Sequence, residues 1–152
     1  MDFLFEGVKN FSKNEYRKYR SIFKELGKSQ NPHTLFIGCS DSRVVPDLIT
    51  TTLPGELFVV RNIANVVPNY RLSEEFLATT SAIEYAVNKL EVENIVVCGH
   101  SNCGGCKEAL NLNLDKNIDS DLPHTEKWLT LLKNPKEKAY KKATQLDAME
   151  DI

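Results

Sequence analysis

Three short apolar runs are the clearest pattern along this chain. They span residues 34–39, 57–60 and 94–98, and each is rich in β-branched or aromatic residues. Continuous apolar runs, as opposed to alternating ones, are typical of strands covered on both faces, which occur mainly in parallel sheets. We therefore predict an α/β fold with a parallel β-sheet core flanked by helices, in which all three strands are buried.

Helical patterns lie before, between and after these runs. A first helix is predicted over about 12–27, because Ser12 followed three residues later by Glu15 has the spacing of a capping box. A second is predicted over 73–90, with Glu74 and Glu75 in a first turn where the helix dipole favours acidic groups. The other predicted helices open at Gly104, surround Trp128 and span 136–151.

Composition narrows the class of protein. The 152 residues suit one domain, 41% of them are hydrophobic, and the net charge of −2 gives no electrostatic reason to expect nucleic acid as a partner. No apolar run approaches the roughly 20 residues of a membrane helix, and the acidic N-terminus does not resemble a secretory signal. We expect a cytoplasmic protein, with an α/β core over about 33–133, whose four cysteines serve as ligands or catalytic groups.

Two of the predicted strands lead into potential metal ligands at their carboxyl ends. Cys39 ends the first strand, and His100 and Cys103 follow the third. Adjacent parallel strands lie about 5 Å apart, so these side chains can share one ion. Two thiolates and an imidazole with an open fourth position form a known catalytic zinc set, and sulfur ligands favour zinc over magnesium or calcium.

Asp41 and Arg43 follow the first candidate ligand directly. Such a pair on a surface is normally a weak ion pair. Beside a metal ligand, the guanidinium can hold the carboxylate in a two-pronged hydrogen bond, and the carboxylate can orient a metal-bound hydroxide.

A rival interpretation starts from Cys103 and Cys106, whose C-x-x-C spacing elsewhere indicates a redox pair or half of a structural zinc site.

Together these motifs resemble the β-carbonic anhydrases. The family pattern is matched by Cys-Ser-Asp-Ser-Arg at 39–43 and His-x-x-Cys-Gly at 100–104, and also by segments 54–56, 61–65 and 82–85, so the resemblance covers about 10–132. It implies that one zinc ion per chain is held by Cys39, His100 and Cys103, and that Asp41 and Arg43 form the catalytic orienting pair.

The resemblance also implies an activity and an assembly. The activity is that of a lyase: reversible hydration of carbon dioxide to bicarbonate and a proton, by attack of zinc-bound hydroxide. In the plant-type branch, residues equivalent to Gln30, Phe58 and Tyr85 form a substrate pocket supplied jointly by two subunits, which implies a homodimer or higher homo-oligomer. Phe36 stands where the bicarbonate-gated branch has tryptophan, which implies an ungated enzyme.

One departure keeps alternatives open. Family members continue with further helices and sheet strands, whereas this sequence stops at Ile152, so we expect the C-terminal strands to be absent and one sheet edge to be open. A non-catalytic zinc-binding or interaction module is therefore one alternative. A hydrolase of carbon disulfide or carbonyl sulfide on the same scaffold is another.

Overall fold

A computed structural model describes residues 1–70, 72, 75–112 and 121–150 of the chain. Its strands are β1 (Thr34–Cys39), β2 (Leu57–Asn62) and β3 (Asn94–Cys98). Its α-helices are α1 (Asp2–Asn10), α2 (Tyr16–Lys18), α3 (Arg20–Leu26), α4 (Pro46–Thr50), α5 (Leu77–Asn88), α6 (Gly104–Asn111), α7 (Pro123–Leu129) and α8 (Lys133–Glu150). A π-helical turn (Phe11–Glu15) and two 3₁₀ turns (Ile63–Asn65 and Thr130–Leu132) complete the regular structure of these residues.

The three strands form the predicted parallel sheet, in the order β2-β1-β3. Cys39, at the end of β1, lies opposite Asn62 of β2, and Gly38 lies opposite Cys98 of β3. The loops that follow the three strands therefore leave the sheet at one common edge. This register is what brings the loop after β1 and the loop after β3 together.

Burial differs sharply between the strands. All six residues of the central strand β1 are buried. In β3, by contrast, Ile95 is 53% exposed and Val97 is 52% exposed. The prediction that all three strands are buried is therefore wrong for β2, in which no residue is buried, and most clearly for β3. Each of these strands has a neighbouring strand on one side alone among the described residues. The apolar sequences of β2 and β3 could not distinguish these edge positions from a central one.

The N-terminal helical region begins earlier than the sequence predicted. Helix α1 starts at Asp2, and Asn10 is already helical (φ −64°, ψ −45°) before the π-helical turn that contains Ser12. A capping box needs its first residue in a non-helical conformation, so the predicted start at Ser12 is wrong. Contacts among the rings of Phe11, Tyr16 and Phe23, at centroid distances of 5.2–6.3 Å, link the π-helical turn and α2 to α3.

Helix α5 begins later than predicted. Its first residue is Leu77, because Phe76 takes a left-handed conformation (φ 59°) and packs edge-on against Trp128 at 5.3 Å. Glu75 therefore precedes the helix and forms an ion pair with Lys127 at 3.1 Å. Ser73 and Glu74 lie outside the described residues. A tertiary contact, absent from any local pattern, has set this helix start.

Two buried clusters hold the sheet and its helices together. One lies behind the sheet, where Leu35 and Ile37 of β1 pack against Ala86 of α5. The other surrounds the carboxyl edge of the sheet and is formed by Cys39, Val44, Ala64, Val66, Cys103, Ala109 and Leu129. Two candidate metal ligands are thus part of a packed core, which restricts how far they can move. No helix in the described part of the chain is long and apolar enough to cross a membrane.

Candidate metal centre

The fold brings the three predicted ligands to one point. Cys39 is the last residue of β1, His100 lies in the loop after β3, and Cys103 immediately precedes α6. Their potential ligand atoms all lie within 4.8 Å of one another, and the two sulfur atoms are 3.8 Å apart. The four cysteines of the chain are free thiols. The sequence spacing therefore predicted the correct set of neighbours.

His100 is oriented as a metal ligand requires. Its Nδ1 lies 3.0 Å from the carbonyl oxygen of Ser101, which can only accept, so Nδ1 carries the proton and donates it to this bond. The other ring nitrogen, Nε2, is buried and has no hydrogen-bond partner among the residues that the structure describes. A buried nitrogen lone pair is costly to leave unsatisfied, and a metal ion between the two thiols would satisfy it.

Asp41 and Arg43 form the predicted two-pronged pair. Arg43 donates from Nε to Oδ1 at 2.9 Å and from a terminal nitrogen to Oδ2 at 2.8 Å, and its backbone N–H donates to Oδ1 at 3.0 Å. The side-chain bonds first, and then the backbone bond, hold the pKa of the Asp41 carboxyl well below its usual range. Oδ2 lies 3.9 Å from Nε2 of His100, so an ionised carboxylate borders the metal position.

Arg61 supports the same segment, a role that sequence reasoning missed. It donates from Nε to the carbonyl of Cys39 at 3.1 Å and from a terminal nitrogen to the carbonyl of Asp41 at 2.6 Å. These bonds fix the backbone on both sides of Ser40. A charged residue near the end of an apolar strand was the only signal in the sequence, and nothing there identified the two carbonyl partners.

The surroundings of Cys103 favour ionisation of its thiol. Burial opposes its ionisation, but hydrogen bonds from the backbone and thiol of Cys106, the thiol of Cys39 and the backbone of Gly105 outweigh burial and lower the pKa of Cys103. Desolvation, followed by the hydrogen bond to Cys103, raises the pKa of Cys106 to about 11. One member of the C-x-x-C pair therefore favours the thiolate form and the other favours the thiol.

The predicted pocket residues lie elsewhere in the chain. Phe58 and Tyr85 contact each other, with ring centroids 6.0 Å apart. The strand register places Phe58 opposite Leu35, four residues before Cys39, which corresponds to about 13 Å along the sheet. Gln30 is exposed in the segment before β1. Within one chain, these side chains and the metal ligands are therefore found towards opposite ends of the strands.

The three ligands fit a zinc ion. In tetrahedral coordination with Zn–S bonds of about 2.3 Å, two sulfur ligands lie roughly 3.8 Å apart. The observed separation of 3.8 Å agrees with that value before any adjustment. A donor set of two thiols and one neutral imidazole also suits zinc better than magnesium or calcium, and it leaves a fourth position for water.

Comparison with known proteins shows the family of this chain. A sequence profile of the family described as carbonic anhydrase matches residues 34–152. A carbonic anhydrase of Helicobacter pylori strain J99 is 43% identical over 133 residues, which cover 88% of this chain and 60% of that protein. A carbonic anhydrase of Synechococcus elongatus is 42% identical and covers 83% of this chain and 44% of its own length. The chain thus spans about three-fifths or less of these curated relatives.

Solved structures give the same result at the level of the fold. The β-carbonic anhydrase CcaA superposes with a TM-score of 0.85 at 37% identity, over 95% of this chain and 63% of that one. A tetrameric β-carbonic anhydrase of the fungus Sordaria macrospora superposes with a TM-score of 0.73 at 36% identity, over 97% of this chain and 68% of that one. With the family profile covering most of its length, the chain belongs to the β class of the carbonic anhydrase family.

Proposed function

We propose that this protein is a zinc-dependent lyase that catalyses the reversible hydration of carbon dioxide to bicarbonate and a proton. One observation carries the proposal: an imidazole nitrogen with no partner in the described part of the chain and two close thiols border an ionised carboxylate that a guanidinium holds in place. A metal site for structure alone has no need of such a carboxylate at its open side. Family membership supplies the reaction that this arrangement suits.

Each residue has a distinct part in the proposed reaction. Cys39, His100 and Cys103 would hold the zinc ion, which lowers the pKa of a coordinated water towards about 7 and so supplies a nucleophile at neutral pH. Asp41 would accept a hydrogen bond from the attacking water at Oδ2 and so orient that water towards carbon dioxide. Arg43 keeps that carboxylate ionised and correctly oriented, since it binds both of its oxygens.

The same pair favours an ungated enzyme. In the structure the Asp41 carboxylate accepts two hydrogen bonds from the guanidinium of Arg43. Phe36, three residues before Cys39, is buried within β1. We infer that Asp41 stays on Arg43 through turnover and does not compete with water for the metal.

The substrate pocket is proposed to form between two subunits of a homo-oligomer. Phe58, whose ring contacts Tyr85, lies about 13 Å along the sheet from Cys39 of its own chain, too far to contact a substrate bound there. Among the similar solved structures are enzymes described as tetrameric. In this arrangement, Gln30, Phe58 and Tyr85 of one subunit would complete the pocket beside the metal site of another, with Gln30 binding bicarbonate oxygens.

The cytoplasm is the proposed location. The metal site depends on two reduced thiols, and all four cysteines are free. A reducing compartment keeps such thiols available to bind metal. Identifying the compartment directly would require localisation of the tagged protein in its own cells.

Stopped-flow measurement of carbon dioxide hydration tests the proposed activity. Protein with one equivalent of zinc should hydrate carbon dioxide well above the uncatalysed rate. Asp41→Asn is the matched variant, because it keeps the size of the side chain and all three ligands while removing the charge. It should bind zinc normally and lose roughly 10²-fold in turnover, the scale of a missing orienting group. Wild-type protein with full zinc and no hydration would overturn the proposal and leave a non-catalytic zinc module.

Mixing two inactive variants tests the shared pocket. Cys39→Ala removes a metal ligand, and Tyr85→Ala removes part of the pocket, so each homo-oligomer should be nearly inactive. If the pocket is shared, a mixed dimer unites one intact metal site with one intact pocket, and subunit exchange should restore up to roughly a quarter of wild-type activity. Activity that stays at the sum of the two separate variants after exchange would refute a pocket formed between subunits.

A further inference from the structure

We propose that Trp128 is a positioning residue for the metal site, acting through the loop that follows β2. Its indole holds the turn Ile63–Asn65 against the start of α6, and this contact sets where Cys103 stands. The inference rests on the zinc site of the proposed function, but it concerns metal binding and is independent of the reaction.

The first contact is a hydrogen bond between distant parts of the chain. Nε1 of Trp128 donates to the carbonyl oxygen of Ile63 at 2.8 Å. Trp128 is half-buried, and its ring also packs edge-on against Phe76. The indole is thus held in one orientation by its ring contact while its N–H secures the loop.

The loop needs such support because its backbone is in an uncommon conformation. Ala64 (φ 63°) and Asn65 (φ 45°) are consecutive left-handed residues, a conformation that costs energy for residues other than glycine. Asn62 closes the far end of the loop by accepting from the backbone N–H of Val66 at 2.8 Å and donating to its carbonyl at 2.9 Å. Trp128 provides the corresponding bond near the start, so the loop is held at both ends.

The loop in turn lies directly on the helix that carries the ligand. A Cβ built on Gly105 would stand 2.7 Å from Cγ2 of Ile63 and 3.0 Å from Cβ of Ala64, so no space separates α6 from the loop. Ala64 is 2% exposed and belongs to the same buried cluster as the two thiol ligands. A displacement of the loop must therefore reach Gly105 and, two residues earlier, Cys103, because a packed core transmits shifts.

Zinc affinity in Trp128→Phe tests the proposal. Phenylalanine keeps an aromatic ring against Phe76 but removes the N–H donor. The matched control is Ile83→Val, which weakens the cluster behind the sheet, away from the loop. Zinc dissociation constants come from competition with a chelator, and the visible spectrum of bound Co²⁺ reports the geometry of the thiolate ligands. Trp128→Phe should weaken zinc binding about 5- to 10-fold and change the Co²⁺ spectrum, whereas Ile83→Val should change neither.

A measurement on the wild-type protein serves if the variant does not fold. The chain has a single tryptophan, so its indole N–H gives one resonance in an ¹H–¹⁵N spectrum. That resonance should shift when zinc is added, since the loop couples it to Cys103. An unshifted indole resonance, or Trp128→Phe with unchanged zinc affinity and Co²⁺ spectrum, would overturn the positioning role. Neither result depends on carbon dioxide hydration, so this inference and the proposed activity fail separately.

Discussion

Two adjacent glycines at the start of α6 offer a sharp test of how the metal site is packed. Gly105 faces the loop after β2, and an added Cβ would lie 2.7 Å from Cγ2 of Ile63, 3.0 Å from Cβ of Ala64 and 3.3 Å from the Ala64 backbone nitrogen. Gly104, one residue earlier, has nothing within 4 Å of the same position. The two alanine substitutions are chemically identical, so any difference between them reports the loop contact.

The size of the effect follows from these distances. The contact with Ile63 would be about 0.8 Å shorter than an ordinary carbon–carbon contact of ~3.5 Å. Overpacking of this kind costs about 1–3 kcal/mol. Replacing glycine with alanine returns about 0.4–1 kcal/mol, because the unfolded chain loses conformational freedom. Gly105→Ala should therefore destabilise the protein by about 1–2 kcal/mol, whereas Gly104→Ala should stabilise it by about 0.5 kcal/mol.

Thermal unfolding and zinc titration of both variants measure this difference. At about 2–4 °C per kcal/mol for a chain of this size, Gly105→Ala should lower the melting temperature by about 2–8 °C. Because the helix must move away from the loop, and Cys103 moves with it, zinc affinity should fall about tenfold in Gly105→Ala alone. Equal melting temperatures and equal zinc affinities in the two variants would refute the claim that the loop presses on α6.

Three further predictions address the surroundings of the site. Lys136 donates hydrogen bonds to the carbonyls of Ala109, Leu110 and Leu112 at the end of α6. Lys136→Met should therefore lower the free energy of unfolding, measured in urea, by about 1–3 kcal/mol. The control Lys141→Met should have little effect. Arg43→Gln should lower the free energy of unfolding at neutral pH, where Asp41 is ionised and paired with Arg43. This loss of stability relative to the wild type should shrink as the pH falls through the lowered pKa of Asp41, since a depressed carboxyl pKa stabilises the fold only where that carboxyl is ionised. An equal loss in urea unfolding at pH 7 and in strong acid would contradict this. Cys106 should react slowly with iodoacetamide at pH 8, because its pKa is raised to about 11, and Cys106→Ser should still bind zinc; rapid alkylation located by mass spectrometry would restore the redox interpretation.

The sequence by itself determined the elements with strong local signals. Continuous apolar runs located all three strands, since such runs are typical of parallel sheets, although only the central strand proved to be fully buried. Cys39, His100 and Cys103 could be predicted as neighbours because parallel strands present their carboxyl ends at one edge. Asp41 and Arg43 are close in the chain, so their pairing also needed little more than local geometry.

Only the tertiary structure decided the features that depend on distant contacts. The helix predicted from residue 73 begins at Leu77 because Phe76 packs on Trp128, and that partner is invisible in any local window. The edge position of β3 left apolar residues exposed, although its composition matches that of a central strand. Arg61 and Trp128 act through backbone carbonyls, and a sequence does not reveal where carbonyls will point. Local preferences choose the elements of this protein, whereas packing between elements chooses their ends, their exposure and the support of the metal site.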